Sequence, residues 1–113
     1  MTDSERLLVD HLLAGNAQLQ GLRLGLDEAK VYEIDDGGMG SLRFVSREQS
    51  ASFSHSVVEC EYIDADGVGV NISINLDRSG FLFELDIWKY DFSNLIKFPD
   101  PKELQSISYH LDN

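Results

Sequence analysis

The sequence predicts an α+β domain, built as a single antiparallel sheet of about five strands, mainly a meander, with N-terminal and C-terminal helices packed on its apolar face. Three observations point there. Apolar and polar residues alternate with period two from Ser56 to Tyr90, broken at two Asp-x-x-Gly sequences. A helical start signature opens the chain, and a second one lies near its end. With 113 residues the chain has the length of one domain, residues 1–113, and no linker or internal repeat divides it. Folding a chain of this size buries about two-thirds of its extended surface, enough for one modest core.

The elements follow in order. Thr2 and Glu5 have the spacing of a capping box, Leu7, Leu8, Val9 and Leu12 supply an apolar stripe, and Gly15-Asn16 is a natural stop. Residues 17–27 stay open between helix and strand. Leu19, Leu22 and Leu26 fit helical spacing, whereas Leu22, Leu24 and Leu26 alternate. Lys30–Ile34 and Ser41–Val45 read as short strands joined by the glycine-rich turn Asp35–Gly40, and the polar stretch Ser46–Ser54 as a surface loop.

Three consecutive antiparallel strands are expected between Ser56 and Tyr90, with turns at Asp64-Ala65-Asp66-Gly67 and Asp77-Arg78-Ser79-Gly80. In the middle strand Val68, Val70, Ile72, Ile74 and Leu76 share one face, and Asn71, Ser73 and Asn75 the other. A three-residue turn with Gly67 left-handed puts Val58, Cys60 and Tyr62 on the apolar face, because a one-residue slip would bury Glu59 and Glu61. A four-residue second loop opposes Leu76 to Phe81, which sends Phe81, Phe83, Leu85 and Ile87 inward and Leu82, Glu84, Asp86 and Trp88 outward. Asp100, Pro101 and Glu103 then open a C-terminal helix with Leu104, Ile107 and Leu111 facing in.

Charge narrows the function classes. Nine Lys plus Arg against 20 Asp plus Glu leave a net charge of −11. That disfavours nucleic acid as a partner, since phosphate binding needs a cationic stripe, and favours a basic protein. From Glu59 to Asp86 there are seven acids and one base, so −6 of the −11 sits in a quarter of the chain. The register projects Glu59, Glu61, Glu84 and Asp86 from the outward face, with Asn71 and Ser73 between them and Trp88 beside them. Clustered carboxylates next to an aromatic anchor suit a surface for a cationic partner. These seven residues are the candidate partner-binding site. Like charges crowded on one sheet face cost stability unless something cationic uses them, although a wet antiparallel face is polar by default.

Catalytic and metal motifs are absent by pattern, so no enzyme activity, catalytic residue, cofactor or metal is expected. The glycines at 37, 38 and 40 lead into a strand, and Asp35 and Asp36 would repel a phosphate. Asp64-Ala65-Asp66-Gly67 begins like a calcium loop, but Val68 takes the next ligand position and Asn75 stands where the glutamate should be. His11, His55 and His110 are dispersed, and no nucleophile elbow surrounds any serine. The first residues lack a secretory signal and no run approaches about eighteen apolar residues, so no membrane association and a cytoplasmic location are expected. The lone Cys60 agrees with that; free cysteines are mostly interior and the anionic neighbours Glu59 and Glu61 raise a thiol's pKa, so a buried structural cysteine is expected.

The segments Asp36-Gly37-Gly38-Met39-Gly40-Ser41-Leu42 and Glu84-Leu85-Asp86-Ile87-Trp88-Lys89-Tyr90-Asp91-Phe92 resemble a family of small uncharacterised bacterial proteins. The D-x-D-G-V hairpin, Leu95-Ile96 and Phe98-Pro99 extend the resemblance over most of the chain after residue 30. It implies a bacterial cytosolic setting. Small acidic proteins of this kind are often immunity proteins, an analogy of size and charge. The expected function is therefore a non-enzymatic acidic binding protein that neutralises a basic antibacterial toxin domain, such as a nuclease, by occluding its active site. A small ligand-binding protein or enzyme with carboxylates such as Asp36 and Glu84 in a pocket near the Asp35–Ser41 turn is the alternative. A homo-oligomer joined through Trp88 and Leu82 is a further one; the expected state is a monomer or weak homodimer.

Overall fold

Helix α1 spans Asp3–Ala14 because its first turn is satisfied from both sides. Thr2 Oγ1 accepts from the Glu5 amide at 3.1 Å, and Glu5 Oε1 accepts from the Thr2 amide at 2.8 Å. Leu8, Val9, Leu12 and Leu13 are its buried face, while Leu7, expected in the stripe, is half exposed. These contacts come from a computed structural model that describes residues 1–34, 37–45 and 52–111.

The undecided stretch after α1 is neither α-helix nor strand. It forms two 3-10 turns, Ala17–Arg23 and Leu26–Glu28. The helical spacing of the apolar residues was the informative one: Leu19 and Leu26 are buried and Leu22 packs against the core, whereas Leu24 is exposed. Gly21 and the left-handed Gly25 keep the turns short.

The sheet has six strands rather than five: β1 (Val31–Glu33), β2 (Leu42–Phe44), β3 (Phe53–Ile63), β4 (Gly69–Asp77), β5 (Leu82–Lys89) and β6 (Gln105–Tyr109). Their order is β1-β2-β5-β4-β3-β6, all antiparallel. The central register agrees with the alternation, pairing Tyr62 with Val70, Cys60 with Ile72 and Val58 with Ile74. Those side chains, with Leu42, Phe44, Leu85 and Ile87, form one core with α1. Residues 46–51 of the expected loop lie outside the described residues; β3 already runs at Phe53.

The β4–β5 connection departs from expectation. Both hairpins use the same three-residue turn, closed by Asp64 N to Val68 O at 3.0 Å and by Asp77 N to Phe81 O at 2.9 Å. Leu76 therefore faces Leu82, and a β-bulge at Phe83 restores the alternation, so that Asn75 faces Glu84. Phe81 is consequently 62% exposed and Leu82 packs against the core, the reverse of the simple parity. Phe83 lies outside the main core cluster and stacks under the Arg43 guanidinium, 4.4 Å from its ring centroid.

The C-terminal helix is also corrected. Asp100 does cap a turn, accepting from the Lys102 amide, but Pro101–Glu103 is a single 3-10 turn that gives way to β6. Ser106, Ile107 and Ser108 are weak helix formers, and the long β3 would otherwise present an open edge that β6 covers. Leu104 and Leu111 still pack against the core, while Ile107 is exposed. Tyr109 ties this strand to the helix: its hydroxyl donates to Leu12 O at 2.7 Å and sits where a Cβ on residue 15 would be, which is why Gly15 ends α1. No helix is long and apolar enough to cross a membrane.

The bulge makes a testable distinction between neighbours. Leu82→Ala should destabilise the protein by about 2 kcal/mol, whereas Phe81→Ser should stay within about 0.5 kcal/mol, measured by urea unfolding. The opposite ranking would restore the unbulged register.

Candidate functional site

The face opposite the core is where the sequence-selected residues meet. Cross-strand pairing lines up Glu59, Ser73 and Asp86 in one row and Glu61, Asn71 and Trp88 in the next. Among the described residues no helix packs on this face, because α1 and its 3-10 turns join the core on the other. Ser73 is buried between its neighbours, Asn71 and Glu59 are half-buried, and Glu61 is exposed. All seven candidates thus lie on one surface, as the strand alternation requires.

Their charges are not equally available. Glu84 accepts from Asn75 Nδ2 at 2.8 Å and from Arg43 Nη2 at 2.9 Å, and Ser56 Oγ donates to Asn75 Oδ1 at 2.6 Å. This polar ladder crosses β3, β4, β5 and β2 and neutralises Glu84. Ser41 Oγ lies 3.3 Å from Asp86 Oδ1 while accepting from the Ile87 amide at 2.8 Å, which docks the end of β2 onto β5. His110 Nε2 stands 3.6 Å from Glu59 Oε2. Glu61 has no ion pair among the described residues.

An aromatic group continues the face beyond the carboxylates. Trp88 is 41% exposed and meets Tyr90 edge-on at 5.4 Å and Phe92 at 5.8 Å between ring centroids. Tyr90 covers Gly69, where a Cβ would sit 2.6 Å from its ring, so glycine there makes room for the aromatic. Exposed Ile63, paired with Gly69, completes the apolar edge. Trp88 is among the residues that the sequence selects, whereas Phe92 and Ile63 join it only through the fold.

A buried ion cluster holds this end of the sheet. Lys89 projects to the core side with Leu85 and Ile87, and its side chain is wholly buried. Its ammonium donates to Asp64 Oδ2 at 2.8 Å, Asp66 Oδ2 at 2.7 Å and Asn94 O at 3.1 Å. Asp64 also accepts from the amides of Ala65, Ile96 and Lys97. The strap over residues 94–97 is thereby clamped to the β3–β4 turn, and Leu95 and Phe98 reach the core. Two of the seven acids between Glu59 and Asp86 are thus committed. The detectable signal was Lys89 itself, whose inward parity demands a buried counter-charge.

Electrostatics follow from that geometry. Burial works against ionised Asp64, but the Ile96 amide, the Lys89 ammonium and the Ala65 and Lys97 amides outweigh it and hold the carboxyl at about 2. Burial likewise opposes the Lys89 charge, and Asp64 and Asp66 overcome it, so its pKa is raised. Burial, and then the charge of Glu61, push Cys60 up to about 12, which leaves no nucleophilic thiol at neutral pH. Among the described residues, no group of three or more His, Cys, Asp or Glu is placed to hold a metal ion. Asp35 and Asp36, which belong to the alternative pocket, lie outside the described residues.

Residues 1–99 match the model of a family described as a domain of unknown function, DUF6984, and the chain belongs to that family. Neither the curated proteins nor the solved structures contain a match.

The ion cluster sets the pH response. Asp64 contributes stability that is fully present above its ordinary value of 3.8 and is lost as pH falls through about 2. Lys89 contributes stability that is fully present below 10.5 and is lost as pH rises through its raised folded value. Asp64→Ala, which strips a buried lysine and three amides of their acceptor, should cost about 3–5 kcal/mol at neutral pH and flatten acid unfolding between about pH 4 and 2. Unfolding curves at stepped pH measure both; an unchanged acid transition would contradict the assignment.

Proposed function

We propose that this member of the DUF6984 family is a non-enzymatic binding protein whose acidic sheet face docks a basic protein. The partner in this reading is the catalytic domain of an antibacterial toxin such as a nuclease, met in the cytoplasm and held inactive because its cationic cleft is covered. The observation that carries the reading is the juxtaposition of Glu59, Glu61 and Asp86 with exposed Trp88, Tyr90 and Phe92 on a sheet face that no helix covers among the described residues. Carboxylates accelerate encounter with a cation-rich surface, and clustered aromatics supply the desolvated anchor that charge alone does not. Asn71 and Ser73 lie between them as neutral hydrogen-bonding groups.

Internal contacts separate the probes for this reading. Glu84 is committed to Arg43 and Asn75, so reversing its charge would also break an internal ladder. Glu61 and Trp88 are the cleaner probes. The homo-oligomer reading loses part of its footing, since Leu82, one of its two anchors, packs on the core.

With the catalytic domain of a basic antibacterial nuclease toxin as the probe, Glu59→Lys plus Glu61→Lys should weaken binding by about a hundredfold at low salt, and Trp88→Ala by about tenfold or more. Titration calorimetry measures both. Wild-type affinity in the double variant at low salt would place the interface elsewhere.

A further inference from the structure

The core side of the sheet carries a feature that the docking proposal does not use. Between the 3-10 turns and the strand ends lies a groove of about 490 Å³, walled by Leu22, Leu24, Phe44, Val45, Phe81 and Leu82. Its volume falls within the range of about 300–1,000 Å³ typical of small-molecule sites. Leu24 is 84% exposed and Phe81 and Val45 are also exposed, so three large apolar side chains line one opening instead of packing away. Two backbone features put them there. Left-handed Gly25 follows Leu24 and turns the chain back into the second 3-10 turn. The three-residue β4–β5 turn and its bulge turn Phe81 out of the core.

The charged residue in the groove's lining is a base, in a molecule that is mostly acidic. Lys30 lines it. Arg6, Arg23, Arg43, Lys89 and Lys97 are engaged by carboxylates, whereas Lys30 has no ion pair among the described residues. Arg78, also without one, stands in the turn that ends at Phe81. Of the two acids between Leu26 and Lys30, Asp27 is paired with Arg6 at 3.4 Å and Glu28 has no ion pair among the described residues. A chain of net charge −11 thus sets in the wall of its apolar groove a lysine without an ion pair among the described residues.

We propose that this groove binds a single-chain amphipathic carboxylate, with the alkyl tail along Leu22, Leu24, Phe44 and Phe81 and the head at Lys30. The apolar walls suit a flexible hydrocarbon, and one lysine supplies a point charge for one anionic head. A phosphate head is less well served, since neither 3-10 turn is long enough to provide a helix N-terminus. The site lies across the sheet from Glu61 and Trp88, so it goes beyond the docking proposal and does not depend on it.

Calorimetric titration of the full chain with octanoate, decanoate and dodecanoate below their micellar concentrations tests the site. Saturable one-to-one binding is expected, tightening by about fourfold per added methylene until the groove is filled. Leu24→Asp and Lys30→Glu should each weaken decanoate binding by about tenfold or more, Lys30→Arg should retain it, and Glu59→Lys plus Glu61→Lys should leave it unchanged. Leu24 and Lys30 are exposed, so these variants keep the fold, which circular dichroism verifies. No saturable heat, equal binding of decylamine, indifference to Leu24→Asp and Lys30→Glu, or a dimer that Leu24→Asp dissociates would each overturn the proposal.

Discussion

A lysine on the apolar side of a strand is the constraint around which this end of the molecule is arranged. Lys89 follows Ile87 and Leu85 into the interior, and a buried ammonium is tolerated only with its charge matched and its donors satisfied. Asp64 and Asp66 match it, and Asn94 O takes the remaining donor. The same Asp64 then gathers the amides of Ile96 and Lys97, which draws the strap after β5 back across the core. The chain reverses at Phe92 in a left-handed conformation, and the aromatic group sits beside that reversal. The buried charge on one side of the sheet thus helps fix the aromatic cluster on the other.

The two sides of the sheet have separate chemistry. On the outward side, Arg43 and Asn75 satisfy Glu84 while Glu61 keeps its charge for solvent or a partner. On the core side, the strand ends and 3-10 turns leave an apolar groove with a cation in its wall. Because the bulge at Phe83 reverses the parity of the residues before it, one segment can serve both. In β5 and its preceding turn, Trp88 belongs to the first surface and Leu82, with Phe81, to the second.

Much of this could be read from the residues, and the failures have physical causes. Thr2 with Glu5 and the alternation around Ile72 and Cys60 describe local geometry that needs no distant information, and the helix and central register follow from them. The bulge at Phe83 was not legible, because a turn one residue shorter and an extra strand residue preserve the same downstream alternation. The fate of the last segment depended on the unpaired edge of β3, a tertiary demand that overrode a valid cap at Asp100. Seven acids lie between Glu59 and Asp86, but Asp64, Asp66 and Glu84 are spoken for by Lys89 and Arg43. Charge arithmetic locates an acidic region; only partners decide how much of it is available.

Trp88 is the sole tryptophan in the chain, so the proposed interface carries its own reporter. Its fluorescence, followed with iodide as quencher while a basic nuclease toxin domain is added, addresses the docking claim directly. The account predicts a blue-shifted emission and loss of quenching at one-to-one stoichiometry, as the ring is desolvated beneath the partner. A complex that forms while Trp88 stays as accessible to iodide as in the free protein would contradict it.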